Sequence, residues 1–264
     1  MFLSYLLIDT AANADRPRPG RHWVQNPYRV HQRLCIAFPS EKRKCDDPHF
    51  LDPFVPDDFQ TLTPVLIDGH VHTVRDAATG FLFRIDALPA TNPSRHVITV
   101  QSAVAPNWDY AFHNSPEFLA AKPKVSESTP AYRDGDTLRF RLRANPTKRL
   151  RATSKLATGE TIHAEWAEKR VGLFHEVEQL AWLNRKAEAG GFAIEELYKA
   201  IAEGTLDAWK TTFEEAKKNR RHLTMASALF EGHLVVRDAE AFRRTLLTGI
   251  GSAKGLGFGL LSVA

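Results

Sequence analysis

Apolar residues recur along the chain in two rhythms, and their alternation divides it into two similar halves. Residues 2–9 (FLSYLLID) alternate loosely and are rich in Leu, the pattern of a strand that opens a fold. Residues 11–26, with Pro17, Pro19 and Gly20 among basic side chains, read as a loop. At Asn26-Pro27 a cap-type residue precedes a proline suited to the first helical position. Val30, Leu34, Ala37 and Phe38 then fall at helical spacing until Pro39 ends the run. From Ser40 to Thr79 the chain is charged and rich in Pro and Asp, an irregular excursion with a short strand near 64–74. FLFRIDAL (81–88) and HVITVQSA (96–103) are strand patterns separated by a Pro/Asn-rich turn. Residues 104–136 are broken by Pro106, Pro116, Pro123 and Pro130 and predict a short helix near 114–121, then a linker.

A second unit begins after Gly135. TLRFRLRANP (137–146) alternates strictly, with Leu138, Phe140 and Leu142 on one face and Arg139, Arg141 and Arg143 on the other. Residues 174–189 predict an amphipathic helix with Phe174, Val177, Leu180, Ala181 and Trp182 on or near one side, ended by Gly190-Gly191. FAIEEL predicts the next strand, and residues 205–218 fit either a helical insert or part of a hairpin. HLTMASALFEGHLVV (222–236) carries two strand pieces or one bent strand. A helix capped by Asp238 and reaching Leu247 follows, with Phe242, Leu246 and Leu247 inward, and a Gly-rich run leads to a final strand. The predicted fold is α+β: two tandem ferredoxin-like βαββαβ domains, over residues 1–125 and 137–264, joined by a linker at 126–136.

Composition narrows the function classes. The chain has 264 residues, 43% hydrophobic and 25% charged, the balance of a water-soluble protein. It holds no run of eighteen apolar residues, and its N-terminus lacks a basic region and reaches Asp9 too soon for a secretory signal. A cytoplasmic protein without membrane contact is expected. Cys35 and Cys45 are too few for a disulfide framework or zinc knuckle. Asp68, His70 and His72 alternate as a surface strand does and lack a distant fourth ligand, so no metal and no cofactor are expected. The formal charge of +4 is a modest bias toward anionic partners.

Three constellations carry possible chemistry. In the helix after Asn26, Tyr28 and His31 are three apart and share neighbouring surface, flanking the Val30–Leu34–Phe38 stripe. A histidine can take or give a proton at neutral pH, and a nearby phenol can orient the reacting group. Arg29 and Arg33 on the same helix would draw in phosphate; the alternative is a surface His and a half-buried Tyr on an ordinary helix. The second constellation is basic: Arg139, Arg141, Arg143, Lys148, Arg149, Arg151, Lys155, Lys169 and Arg170, opposed by Glu160, Glu165 and Glu168. Such a stretch is either an electrostatic track for a nucleic-acid backbone or a solvated face. The third is GIGSAKGLGFGLLSVA, with Gly249, Gly251, Gly255, Gly257 and Gly259 around Lys254. It is no P-loop, because Ala253 precedes the lysine and Gly255 follows it. No helix follows to complete a dinucleotide fingerprint, so no nucleotide cofactor is expected. A turn lining an anionic groove and a tight helix-to-strand connection both remain.

The sequence resembles the CasE family of CRISPR-associated endoribonucleases, a subunit of the type I-E Cascade complex. The likeness is carried by NPYRVHQRL (26–34), FLFRID (81–86), QSAVAPNWDYAF (101–112), LRFRLRANPTKR (138–149), KRVGLF (169–174), AWLNRKAEAGGF (181–192), ALFEGHLVV (228–236) and GIGSAKGLGFGLLSVA (249–264). The resemblance implies two tandem ferredoxin-like domains, a CRISPR repeat hairpin as substrate, metal-free cleavage at the 3′ base of the stem, and assembly with other Cascade subunits. It implies catalytic roles for His31 and Tyr28. It matches Arg149, Lys155, Lys169 and Arg170 approximately to RNA-binding residues of a variable loop, and Lys254 with its glycines to a C-terminal loop. Where the family often has a second basic residue, this chain has Ser252-Ala253-Lys254. Two rival readings are a non-catalytic hairpin-binding subunit and a structural assembly protein whose basic track meets acidic protein.

Overall fold

The computed structural model describes residues 1–10, 19–38, 80–88, 95–129, 131–151, 165, 167–214 and 217–264. The strand expected near 64–74, Cys45, the Asp68–His70–His72 group and Lys155 lie outside the described residues. In the first half, β1 (Phe2–Asp9) lies between β3 (Arg95–Ser102) and β4 (Lys124–Glu127), with β2 (Phe81–Leu88) beyond β3. All pairs are antiparallel, and Ser102 of β3 faces both Phe2 and Phe81. In the second half, β5 (Thr137–Ala144) lies between β10 (Leu261–Val263) and β9 (Lys217–Val236), with β8 (Phe192–Glu214) at the edge. Each sheet thus sets its first strand beside its third, with the fourth and second at the edges. The chain is an α+β protein of two tandem ferredoxin-like domains. β4 extends past residue 125, where the sequence places the end of the first domain.

The helices form where capping and burial agree. α1 (Pro19–Val24) occupies a stretch expected to be a loop; six residues are too few to show a period, but Trp23 and Val24 are buried. α2 (Pro27–Ile36) matches the expectation, with Pro27 opening it and Val30 and Leu34 fully buried against Leu6, Ile8, Phe83 and Ile98. Each such side chain contributes about 1.5–3 kcal/mol. α3 (Trp108–Phe112), which the sequence reading does not place, starts where the Asn107 side chain accepts from the Tyr110 N–H at 2.9 Å and caps it, and the short helix expected near 114–121 is the 3-10 turn Pro116–Phe118. In the second domain, α4 (Glu176–Ala189) and α5 (Ala239–Thr248) bury Trp182, Leu183, Phe242 and Leu246 against Phe140, Leu142, Phe192 and Phe230.

Residues 205–218 belong to a hairpin. β8 and β9 run 23 and 20 residues and remain paired out to Glu214↔Lys217, forming an arm. Register shifts between Ile194/Glu196, Leu197/Lys199 and Ala202/Gly204 bend it, as bulges do. These irregularities break the two-residue alternation that would have marked the strand.

The helix-free sides of the two sheets meet. Arg84 of β2, almost fully buried, holds Asp86 at 2.8 Å and donates to Ser262 Oγ at 2.8 Å across the joint. Arg141 reaches the same Asp86 at 3.0 Å and Glu231 at 2.8 Å. Arg143 grips Glu203 through two donors at 2.9 and 3.0 Å and donates to the Ile85 carbonyl. Two of the three strand arginines expected on an RNA track are therefore paired with carboxylates of the protein itself, Arg143 largely covered and Arg141 part-exposed. Alternation reveals which way they point, but not that Asp86 and Ile85 of the first domain and Glu203 and Glu231 of the second meet them there.

Candidate active site

α2 presents Tyr28 and His31 to a cleft of about 680 Å³ between the domains. His31 is buried, with its ring stacked on Phe81 and Phe83 at centroid distances of 5.4 and 6.1 Å. Those two phenylalanines are neighbours on one face of β2, so the sheet sets the plane of the imidazole. Cys35 Sγ lies 3.7 Å from Nε2, one helical turn further on. The C-terminal loop closes from the other side: a Cβ at Gly255 would stand 3.5 Å from His31 Nε2. Tyr28 is partly buried, and burial, aided by Cys35, pushes its phenol above the usual value. A phenol is protonated at neutral pH in any case, and the upward shift keeps Tyr28 so.

The Gly-rich run is a built loop with a left-handed backbone at several points. The Gly259 N–H donates to the Arg143 carbonyl at 2.8 Å, and its own carbonyl accepts from Ile250 at 2.9 Å, pinning both ends of the loop. At Gly251, φ is 82° and a Cβ would approach the Trp182 ring to 2.9 Å, so conformation and contact both require glycine. Ser252 Oγ accepts from Asn145 Nδ2 at 3.2 Å. Lys254, in the 3-10 turn Lys254–Leu256, lines the cleft and donates to the Thr248 carbonyl at the end of α5. The loop is at once a helix-to-strand connection and a cleft wall, and it brings Gly255 to the histidine.

The remaining basic candidates separate into groups. Arg149 and Arg170, paired across the ribbon β6 (Thr147–Arg149) and β7 (Arg170–Gly172), are exposed and line the cleft. Arg149 also meets Glu168 at 2.7 Å, and Lys148 meets Glu178 at 2.8 Å. Arg151, Lys169, Arg29 and Arg139 are exposed and do not line the cleft. Arg33 corrects an expectation: its guanidinium donates to the Ala111 carbonyl at 2.9 Å, Asn114 at 2.7 Å and Ser115 at 3.2 Å, tying α2 to α3. Those bonds clamp the helix to its neighbour within the first domain.

A family profile described as CRISPR associated protein matches residues 1–264. The CRISPR-associated endoribonuclease Cse3 of Thermus thermophilus is 36% identical over 274 residues, covering 100% of each chain. The Cascade subunit CasE of Escherichia coli is 32% identical over 245 residues, covering 93% of this chain and 95% of CasE. The chain belongs to the family of Cse3 and CasE. A solved structure of Cse3 bound to a 19-nucleotide RNA matches it with a TM-score of 0.62 at 28% identity, over 100% of both chains.

For this CasE-family chain, sequence reasoning missed two cleft cations, Lys186 of α4 and Lys210 of the arm. Lys186 sits four residues after Trp182, a spacing that places it over the same end of the helix. Lys210 lies in the stretch whose secondary structure was open, and no local signal ties it to Tyr28. No helix among the described residues is long and apolar enough to cross a membrane.

Proposed function

We propose that the chain is an endoribonuclease that cuts precursor CRISPR RNA at the 3′ base of the repeat hairpin and keeps the product as a cytoplasmic type I-E Cascade subunit. The observation that carries this reading is the convergence of Tyr28, His31, the Gly-rich loop and the Arg149–Arg170 ribbon on one cleft. Relatives named as CRISPR endoribonucleases, one of them bound to RNA, support it.

RNA supplies its own nucleophile, so the reaction needs no metal-activated water. The ribose 2′-oxygen attacks the adjacent phosphorus, and the bond from phosphorus to the 5′-oxygen breaks. The 2′-hydroxyl proton leaves to a base and the 5′-oxygen gains a proton, giving a 2′,3′-cyclic phosphate and a 5′-hydroxyl. Tyr28 and His31 handle these two protons. The neutral phenol of Tyr28 favours donation, which leaves proton removal to the imidazole. Stacking on Phe81 and Phe83 holds that imidazole in one orientation, which favours in-line geometry. Arg149, Arg170 and Lys254 hold stem phosphates, and an A-form stem is read largely through its shape and backbone. Lys155, Lys169 and Arg151 extend this basic set.

The test is incubation of the protein with its repeat hairpin in excess EDTA. A single cut at the stem base, lost in His31→Ala while RNA binding persists, is the expected result. Tightly bound but uncut RNA would replace the enzyme with a hairpin-binding subunit, and no binding would leave an assembly protein.

A further inference from the structure

Phe81 and Phe83 lie nearly parallel to the His31 imidazole, at interplanar angles of 26° and 19°. Stacking of this kind fixes the plane of the ring but is blind to which nitrogen carries the proton. A neutral imidazole holds one proton between two nitrogens, and the hydrogen bond made at either one decides where it sits. A general base needs its lone pair on the nitrogen that meets the substrate, so the choice bears directly on the reaction.

Cys35 meets one of the two. Tyr28, His31 and Cys35 follow one another at helical spacing along α2 and so share one side of it. Cys35 is a free thiol with 3% exposure, and its Sγ lies 3.7 Å from His31 Nε2. Nε2 is also the ring atom nearest the point that a Cβ on Gly255 would occupy, at 3.5 Å, and Gly255 lines the cleft. The nitrogen that the thiol meets is thus the one beside the cleft wall. The pair has two arrangements, S–H donating to an unprotonated Nε2 or Nε2–H donating to sulfur. A thiol is a weak donor and a weak acceptor, so bond strength does not choose between them. The reaction does, because an imidazole that removes the 2′-hydroxyl proton must keep its lone pair on Nε2.

We propose that the Cys35 thiol donates to His31 Nε2 and so holds the imidazole with its own proton on Nδ1, ready to take the 2′-hydroxyl proton at Nε2. This rests on the endoribonuclease reading above and on the base role given there to His31. When RNA enters, the 2′-hydroxyl replaces the thiol as donor to the same lone pair, an exchange that the weakness of an S–H bond makes easy. The hydroxyl proton then passes to Nε2, and the thiol keeps its own. Cys35 is a positioning residue that acts through His31. The other titratable groups lining the cleft among the described residues are Tyr28 of the same helix, Lys254 of the loop, Lys186 of α4, Lys210 of the arm, and Arg149 and Arg170 of the ribbon. Cations and a neutral phenol bring no acceptor that would draw the ring proton to Nε2.

Nitrogen-15 NMR of the imidazole and single-turnover cleavage of the repeat hairpin at saturating protein test this together, in wild type, Cys35→Ser and Cys35→Val. The His31 signals are assigned by their loss in His31→Ala. With the ring neutral, wild-type Nε2 should show the shift of an unprotonated nitrogen and Nδ1 that of an N–H. In Cys35→Val, which keeps most of the bulk and has no donor, the two shifts should move toward each other. Cys35→Val should lower the plateau rate by about 2- to 10-fold, the worth of one neutral hydrogen bond, with hairpin affinity unchanged. Its pH–rate profile should rise at a higher pH than the wild type's, because a hydrogen bond to the neutral ring disfavours the charged form and the variant lacks it. Cys35→Ser keeps a donor and should recover most of the rate and the wild-type profile. A wild-type Nε2 that carries the proton would overturn the proposal, whatever the variants do. So would equal rate losses in Cys35→Ser and Cys35→Val with an unmoved profile, which would make the cysteine a matter of packing alone. RNA left uncut by the wild type would overturn the endoribonuclease reading itself, a result distinct from the tautomer read in the free protein.

Discussion

The first sheet keeps its described strands to eight residues or fewer, whereas β8 and β9 of the second run to 23 and 20. The strand order is the same in both. The two domains therefore meet the cleft in different ways. The first offers a helix packed on its own sheet, with His31 buried against two phenylalanine rings. The second offers excursions from its sheet: a short ribbon, a Gly-rich loop and a long arm, each bringing a cation. Proton transfer depends on sub-ångström orientation, which a packed core supplies. Phosphate contacts depend on reach along a polyanion, which loops and hairpins supply.

Substitutions on the two walls should separate rate from affinity. His31→Ala on the first wall is expected to lower the single-turnover rate by about 10²- to 10⁴-fold with hairpin affinity kept, the range for a lost acid–base group. A fall in affinity matching the fall in rate would erase the contrast. The joint between the domains comes next. Asp86→Ala would leave Arg84 and Arg141 without the carboxylate they share, and should cost roughly 3 kcal/mol in denaturant unfolding, the range for a broken buried pair. A loss under about 1 kcal/mol would mean the arginines find other partners, as exposed pairs do.

On the second wall, Arg170→Ala should weaken hairpin binding and make the slope of log affinity against log salt shallower by about 0.7–0.9, one counterion's worth. Its cleavage rate at saturation should stay near wild type. An unchanged slope would remove Arg170 from the phosphate contacts. The smallest effect belongs to His96 of β3, whose Nδ1 lies 3.1 Å from Thr10 Oγ1 and whose pKa is lowered by burial. The folded protein resists protonating it, while the unfolded chain takes the proton near pH 6.5. Its contribution is complete above that value and declines as pH falls through it toward the lower folded-state pKa. His96→Gln should flatten part of the fall in thermal midpoint between pH 7.5 and 5; an identical profile would show that other groups cause it.

Much of this frame was legible in the sequence because it rests on local rules. Proline after Asn26, the stripe of Val30 and Leu34, and the Asp238 cap each mark an end or a face without reference to the rest of the chain. The misses arose where a local rule lacked its tertiary partner. Arg141 and Arg143 alternate outward as solvent-facing residues do, and nothing near them in sequence names Asp86 and Glu203. Arg33 occupies a polar helix position whose partners come from α3 and the residues just after it. The arm was obscured by its own bulges, and with it Lys210. The glycine pattern fits a groove or a connection, while its approach to His31 depends on how the domains meet.

The most direct test of the cleft's chemistry replaces a single atom of the substrate. A repeat hairpin carrying deoxyribose at the nucleotide on the 5′ side of the scissile phosphate lacks the attacking oxygen and keeps almost every binding contact. The expected result is wild-type affinity with no cleavage, alongside an all-ribose hairpin cut to a 2′,3′-cyclic phosphate and a 5′-hydroxyl. Cleavage of the deoxy-substituted hairpin at the same bond would contradict attack by the RNA's own hydroxyl, and with it the roles given to Tyr28 and His31.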